Sequence, residues 1–194
     1  MLKRLCLIGA SLSLTIPLCA QTFPSAEGSG ISLWAGASVS SFNPDYGCPS
    51  NSPFTCGNQL IGIAPFVHTN GFLLHRVGVE GQARFLHWHG PAGLTESTYL
   101  AGPRVNLFHY KKLLFSAKFM IGDAHLNING VGNGNYLAYA PGCAVDYRIK
   151  RRLFARVDYE YQIWPSFQGR QTGSGHGGLT PNGISVGLSY AVWH

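Results

Sequence analysis

The chain has 194 residues, of which 45% are hydrophobic, with 14 basic and 8 acidic residues and a formal net charge of +6. That length suits one domain. A basic excess invites nucleic acid, but Lys111 and Lys112 fall in one short turn, Lys150, Arg151 and Arg152 in another, and most of the rest on alternating positions. No continuous basic stripe with interleaved aromatics results, which argues against nucleic acid as a partner.

The first 20 residues read as a secretory signal peptide. Lys3 and Arg4 make a basic start, residues 5–18 are an apolar core too short to span a bilayer as a helix, and Ala20 is a small residue before Gln21. The run Ile16-Pro17-Leu18-Cys19 gives a weaker lipoprotein alternative, with Leu18 bulky where a small residue is expected. Residues 21–28 form a short linker, and 29–194 a single domain. Without the leader, 12 basic residues face 8 acidic ones, an excess of +4. No long uncharged apolar segment follows, so a spanning role falls to strands, which in lipid must close into a barrel.

Eight strands are expected, at 30–42, 59–68, 73–88, 97–108, 113–125, 136–149, 153–164 and 183–193. The connections at 69–72, 109–112 and 150–152 are tight. Those at 43–58, 89–96, 126–135 and 165–182 are longer and rich in Gly, Asn, Ser and Pro. Short turns alternating with long loops match bacterial barrels, short towards the periplasm and long outside. Pro65, Pro103 and Pro141 fall inside strands, so each needs a bulge or loses a ladder bond, and Gly102 and Gly142 suggest bulges.

Apolar and polar residues alternate along these strands. In the third, Val77, Val79, Gly81, Ala83 and Phe85 oppose Arg76, Gly78, Glu80, Gln82 and Arg84; in the seventh, Ala155, Val157, Tyr159 and Tyr161 oppose Arg156, Asp158, Glu160 and Gln162. A charge on the lipid face near mid-membrane costs about 2–4 kcal/mol. This register keeps strand charges inside, save for ones near strand ends such as Asp123, and a one-residue slip would expose them. Tyr99, Tyr136, Tyr139, Tyr159, Tyr161, Trp88 and Trp193 are expected in aromatic girdles.

The motifs Leu100-Ala101-Gly102-Pro103-Arg104-Val105, Cys143-Ala144-Val145-Asp146-Tyr147 and Arg156-Val157-Asp158-Tyr159-Glu160-Tyr161 resemble those of the outer-membrane β-barrel domain family, over about residues 29–194. So does the final strand, where Ile184, Val186, Leu188, Tyr190 and Val192 alternate outwards, although the chain ends on His194 with the aromatic Trp193 one place early. The resemblance implies an all-β, eight-stranded, antiparallel up-and-down transmembrane barrel of the small OmpA/OmpX type. It implies an outer-membrane location, a monomer in membrane lipid, and insertion by periplasmic chaperones and the barrel assembly machinery. It specifies fold well and function poorly.

The sharpest constellation is the inward set Arg76, Glu80, Arg84, Arg104, Lys118, Asp146, Arg148, Arg156, Asp158 and Glu160. So narrow a barrel holds side chains and little else, so these charges should pair into a structural plug. A rearranging salt-bridge network could instead form a narrow gated ion channel. His87 and His89 with Trp88 between them, plus His125 and His176, lack an accompanying Cys or carboxylate cluster, so no metal is expected. No Ser–His–acid arrangement stands out at the rim, so no catalytic residue is assigned, a lipid-modifying enzyme is the weaker alternative, and no cofactor is implied. Glu96 is expected in a loop. Cys48 and Cys56 share the first long loop, where an oxidising envelope favours a disulfide, leaving Cys143 free. The expected role is structural or loop-mediated, such as adhesion or envelope integrity.

Overall fold

The computed structural model describes residues 31–45, 59–70, 76–87, 94–128, 132–167 and 178–193. The signal segment, linker, Cys48 and Cys56, Trp88, His89 and His176 lie outside them. The described strands are β1 (Ser32–Asn43), β2 (Leu60–Asn70), β3 (Val77–His87), β4 (Leu94–Tyr110), β5 (Leu113–Ile128), β6 (Gly132–Arg148), β7 (Leu153–Tyr161) and β8 (Asn182–Trp193). Each pairs antiparallel with its sequence neighbour, and β1 pairs with β8 to close the barrel.

The outer face is apolar where the alternation places it. Ile63, Val79, Phe119, Val157, Val186 and Leu188 are all exposed around the barrel. Cys143 is free and exposed on the same face. Tyr110, Tyr147, Tyr190 and Trp193 cluster at the end that carries the short turns. Among the described residues no helix is long and apolar enough to cross a membrane. The two-residue turn Lys111-Lys112 places Lys111 at φ 54°, as the first position of a tight hairpin turn requires.

The pairing decides between the two alternatives open to the strand prolines, and it changes the expected strand lengths. Pro65, Pro103 and Pro141 sit at no bulge: each interrupts the ladder on one side, and pairing resumes in the same register. The gaps lie in β2–β3 between Ile63 and Phe66, in β4–β5 between Ala101 and Arg104, and in β6–β7 between Gly142 and the Tyr139–Ile163 bridge. The register shifts fall elsewhere, at Leu33/Trp34 and Asn106/Phe108.

The change is one of length. β4, β5 and β6 have 17, 16 and 17 residues, where about 9–11 would span a bilayer. The expected loop 126–135 shrinks to 129–131, and Glu96 lies in β4. Asp123 is therefore not at the end of its strand, which runs on to Ile128.

Candidate functional site

The inward positions of β3 to β7 form one connected ionic cluster. Register sets it: Glu80 pairs across to Gly102, Arg104 to Lys118, and Asp146 to Arg156, so their side chains reach into a shared lumen at similar heights. Glu80 accepts from three cations, with Arg156 Nη2 at 2.7 Å, Arg104 Nη1 at 3.0 Å and Lys118 Nζ at 3.1 Å. Lys118 also reaches Asp158 Oδ2 at 2.7 Å and Glu160 Oε2 at 3.3 Å. Arg104 continues the cluster to Asp146, and Arg156 Nη2 reaches Asp158 Oδ2 at 2.9 Å.

Above this hub Arg84 holds Glu160 with both guanidinium nitrogens, at 2.7 and 3.2 Å. Gln162 Nε2 donates to Glu160 at 2.7 Å, and Trp164 Nε1 donates to Gln162 Oε1 at 2.9 Å. Arg84 of β3, Glu160 of β7, and Gln162 and Trp164 just past the end of β7 thus make a relay up the lumen. All these side chains are buried. Opposite the charged wall, β1 and β8 contribute small hydroxyls, with Ser40 Oγ 2.8 Å from Ser185 Oγ. That asymmetry gives the long cationic side chains room.

Aromatic rings close the lumen at the short-turn end. Trp34 stacks on His68 at 5.9 Å and meets Phe154 edge-on at 4.7 Å, while the Arg156 guanidinium lies 4.5 Å from the Phe66 ring. His68 Nδ1 is 3.5 Å from Arg156 Nη1 and joins the floor to the charges. Gly36 makes the space for Phe66, since a Cβ there would lie 2.5 Å from the ring.

The other end holds an apolar plug. Phe42, Leu86, Leu100, Met120, Leu126 and Trp164 are its main members, fully or almost fully buried, and Leu179 joins them from the β7–β8 connection. An isolated bridge pairs Trp164 with Leu179, and Thr180 N donates to Asp45 Oδ2 at 3.3 Å. Tyr136, expected in a girdle, instead points inwards and stacks on Trp164.

Arg76 and Arg148 are not part of the cluster. Both have inward parity, but they stand at the short-turn ends of β3 and β6, beyond the level of the ionic cluster, and both are exposed. Their places are taken by His68, Gln82 and Gln162, whose position on inward faces was legible but whose neutral side chains gave no charge signal. Glu96 is fully buried, and neither of its carboxylate oxygens has a partner. Thr98 Oγ1 and Arg84 Nε are likewise unpartnered. Among the described residues no group of three or more His, Cys, Asp or Glu could hold a metal.

A closed barrel that turns an apolar belt outwards and buries its charges is built to cross a membrane, and such barrels belong to outer membranes. The chain is a small outer-membrane-type barrel. Its fold is similar to that of Neisserial surface protein A (TM-score 0.52, 10% identity, 83% of this chain and 96% of that one). It is also similar to that of the outer membrane protein OprG from Pseudomonas aeruginosa (0.55, 8%, 84% and 97%). A third likeness is to the outer membrane protein AlkL in lipid bilayers (0.52, 10%, 90% and 97%). No family model matches the sequence, and no curated protein matches it.

Proposed function

We propose that this protein is a non-enzymatic, monomeric barrel whose interior is a structural core and whose surface role, adhesion or envelope integrity, is carried by its long-loop end. The observation that supports this reading is the filled lumen: a half-buried aromatic floor, a buried ionic cluster and a buried apolar plug succeed one another along the axis. An ion would have to break charge-assisted bonds and then cross hydrocarbon side chains, which strongly disfavours a conducting path. Membrane lipid is its surrounding partner, and chaperones with the barrel assembly machinery deliver it.

The surface role is supported by the long strands. Beyond the apolar belt β5 and β6, paired without a gap, turn Asp123, Asn127, Asn133 and Asn135 outwards as a polar wall. Planar-bilayer recording tests the closed interior: no steps are expected, and a steady unitary conductance would favour the gated channel instead. Alanine at Asn127, Asn133 and Asn135 should reduce attachment of expressing cells while heat-modifiable gel migration is unchanged. Equal attachment would remove the wall from the reading, and altered lipid A on overexpression would replace it with an enzyme.

A further inference from the structure

The exposed charges are segregated along the barrel axis. Lys111 and Lys112 lie in the β4–β5 turn, Lys150, Arg151 and Arg152 in the β6–β7 turn with Arg148 just before it, and Arg76 at the same end of β3, all exposed. Among the described residues no exposed acidic residue stands at that end; Asp45 and Asp123 lie towards the other. The two basic turns are physically joined, since Arg148 N donates to Lys112 O at 2.9 Å. The second is then tied to β8 by Ala191 N donating to Arg152 O at 2.9 Å. The result is a cationic arc from β4 to β8.

Within the arc lies an open concavity of about 430 Å³, lined by Lys150, Arg151, Arg152, Leu153 and Tyr190. Its shape is fixed by the turn, where the amides of Ile149 and Lys150 both donate to Leu153 O at 3.0 Å. The lining changes character across its width. Three cations face the aqueous side; Tyr190, half exposed, continues down the outer face into Leu188 and Val186. A ligand that fits both halves carries a phosphate and an acyl chain.

We propose that this concavity binds the headgroup of an anionic glycerophospholipid in the leaflet at the short-turn end, with the lipid's chains lying along β8. The phosphate takes charge-assisted bonds from Lys150, Arg151 and Arg152. The tyrosine ring sits at headgroup depth, where amphipathic rings are favoured. Lys111 and Lys112 add long-range attraction to the same leaflet. The site goes beyond the surface role and does not depend on what the long loops bind.

The test uses the full chain folded in detergent and observed by native mass spectrometry with phosphatidylglycerol or phosphatidylcholine of the same acyl composition. Wild type should retain phosphatidylglycerol about tenfold more than phosphatidylcholine, and the preference should collapse between about 0.05 and about 0.5 M salt as screening sets in. The triple substitution Lys150→Gln, Arg151→Gln, Arg152→Gln should abolish it, whereas Lys111→Gln with Lys112→Gln should only weaken it. The salt titration needs no variant, so poor folding of the triple change leaves the test intact. Equal retention of both lipids by wild type overturns the proposal. So does displacement of the lipid by equimolar inorganic phosphate, which would mean a site for free phosphate.

Discussion

The barrel contains two regions that reverse one another. In the membrane zone β5 turns Phe115, Phe119 and Ile121 out and Ser116 and Lys118 in; a few residues on, the same strand turns Asp123 and Asn127 out and Ala124 and Leu126 in. The alternation never breaks, but its polarity changes sign near Ile121. Below that level an apolar face surrounds an ionic core, and above it a more polar face surrounds a mainly apolar one, with buried Glu96 opposite Leu126 the exception. One strand serves two solvents because backbone bonds are satisfied identically in both, and only the side chains must match their surroundings. The regions also differ in what a defect costs: a hole in the plug loses contacts, whereas a hole in the ionic layer strands charges.

Glu80→Ala should therefore have the largest effect. It removes the shared acceptor of Arg104, Lys118 and Arg156, and breaking a buried ionic group by deleting one partner costs about 3–5 kcal/mol. Urea unfolding from lipid vesicles would measure it, and an unchanged midpoint would show that water already solvates the lumen. Leu86→Ala in the plug should cost less, about 2–4 kcal/mol, by transfer and cavity terms alone. A cost above that of Glu80→Ala would reverse the ranking of the two regions. Glu96→Gln should have the smallest effect, since its buried carboxylate has no partner to lose. Its unfolding midpoint should stay level or rise, and a loss of more than about 1 kcal/mol would mean that a bridging group holds Glu96 in place.

The same reversal decides what was legible in the sequence. Strand number, turn lengths at the basic end and the inward set from Glu80 to Glu160 follow from alternation with charge, and that signal is strong inside the membrane zone. Beyond it, Asn127, Asn133 and Asn135 look like loop residues, because polar side chains on an outward face are read against a rule that expects lipid there. Alternation therefore ends these strands too early, and by the same rule Glu96 reads as a loop residue. Arg76 and Arg148 mislead in the opposite sense: parity gives a direction but not a depth, and at the end of a strand an inward residue meets water. The plug left almost no signal, being assembled from single inward apolar residues on many strands.

The three proline gaps fall in a pattern that bears on the mechanics of the wall. Each lies in a seam closed by a short turn, β2–β3, β4–β5 and β6–β7, while pairing runs without a gap along β1–β2, β3–β4, β5–β6 and β7–β8. A seam with rungs missing resists shear and bending less than a continuous one. The cylinder is thus four stiff ribbons, each a hairpin joined at the end opposite the basic turns, three of whose junctions are compliant and the fourth, β1–β8, continuous apart from its register shift near Leu33. Under lateral pressure from lipid such a wall deforms at its soft junctions towards an oval, and the ribbons keep their internal register.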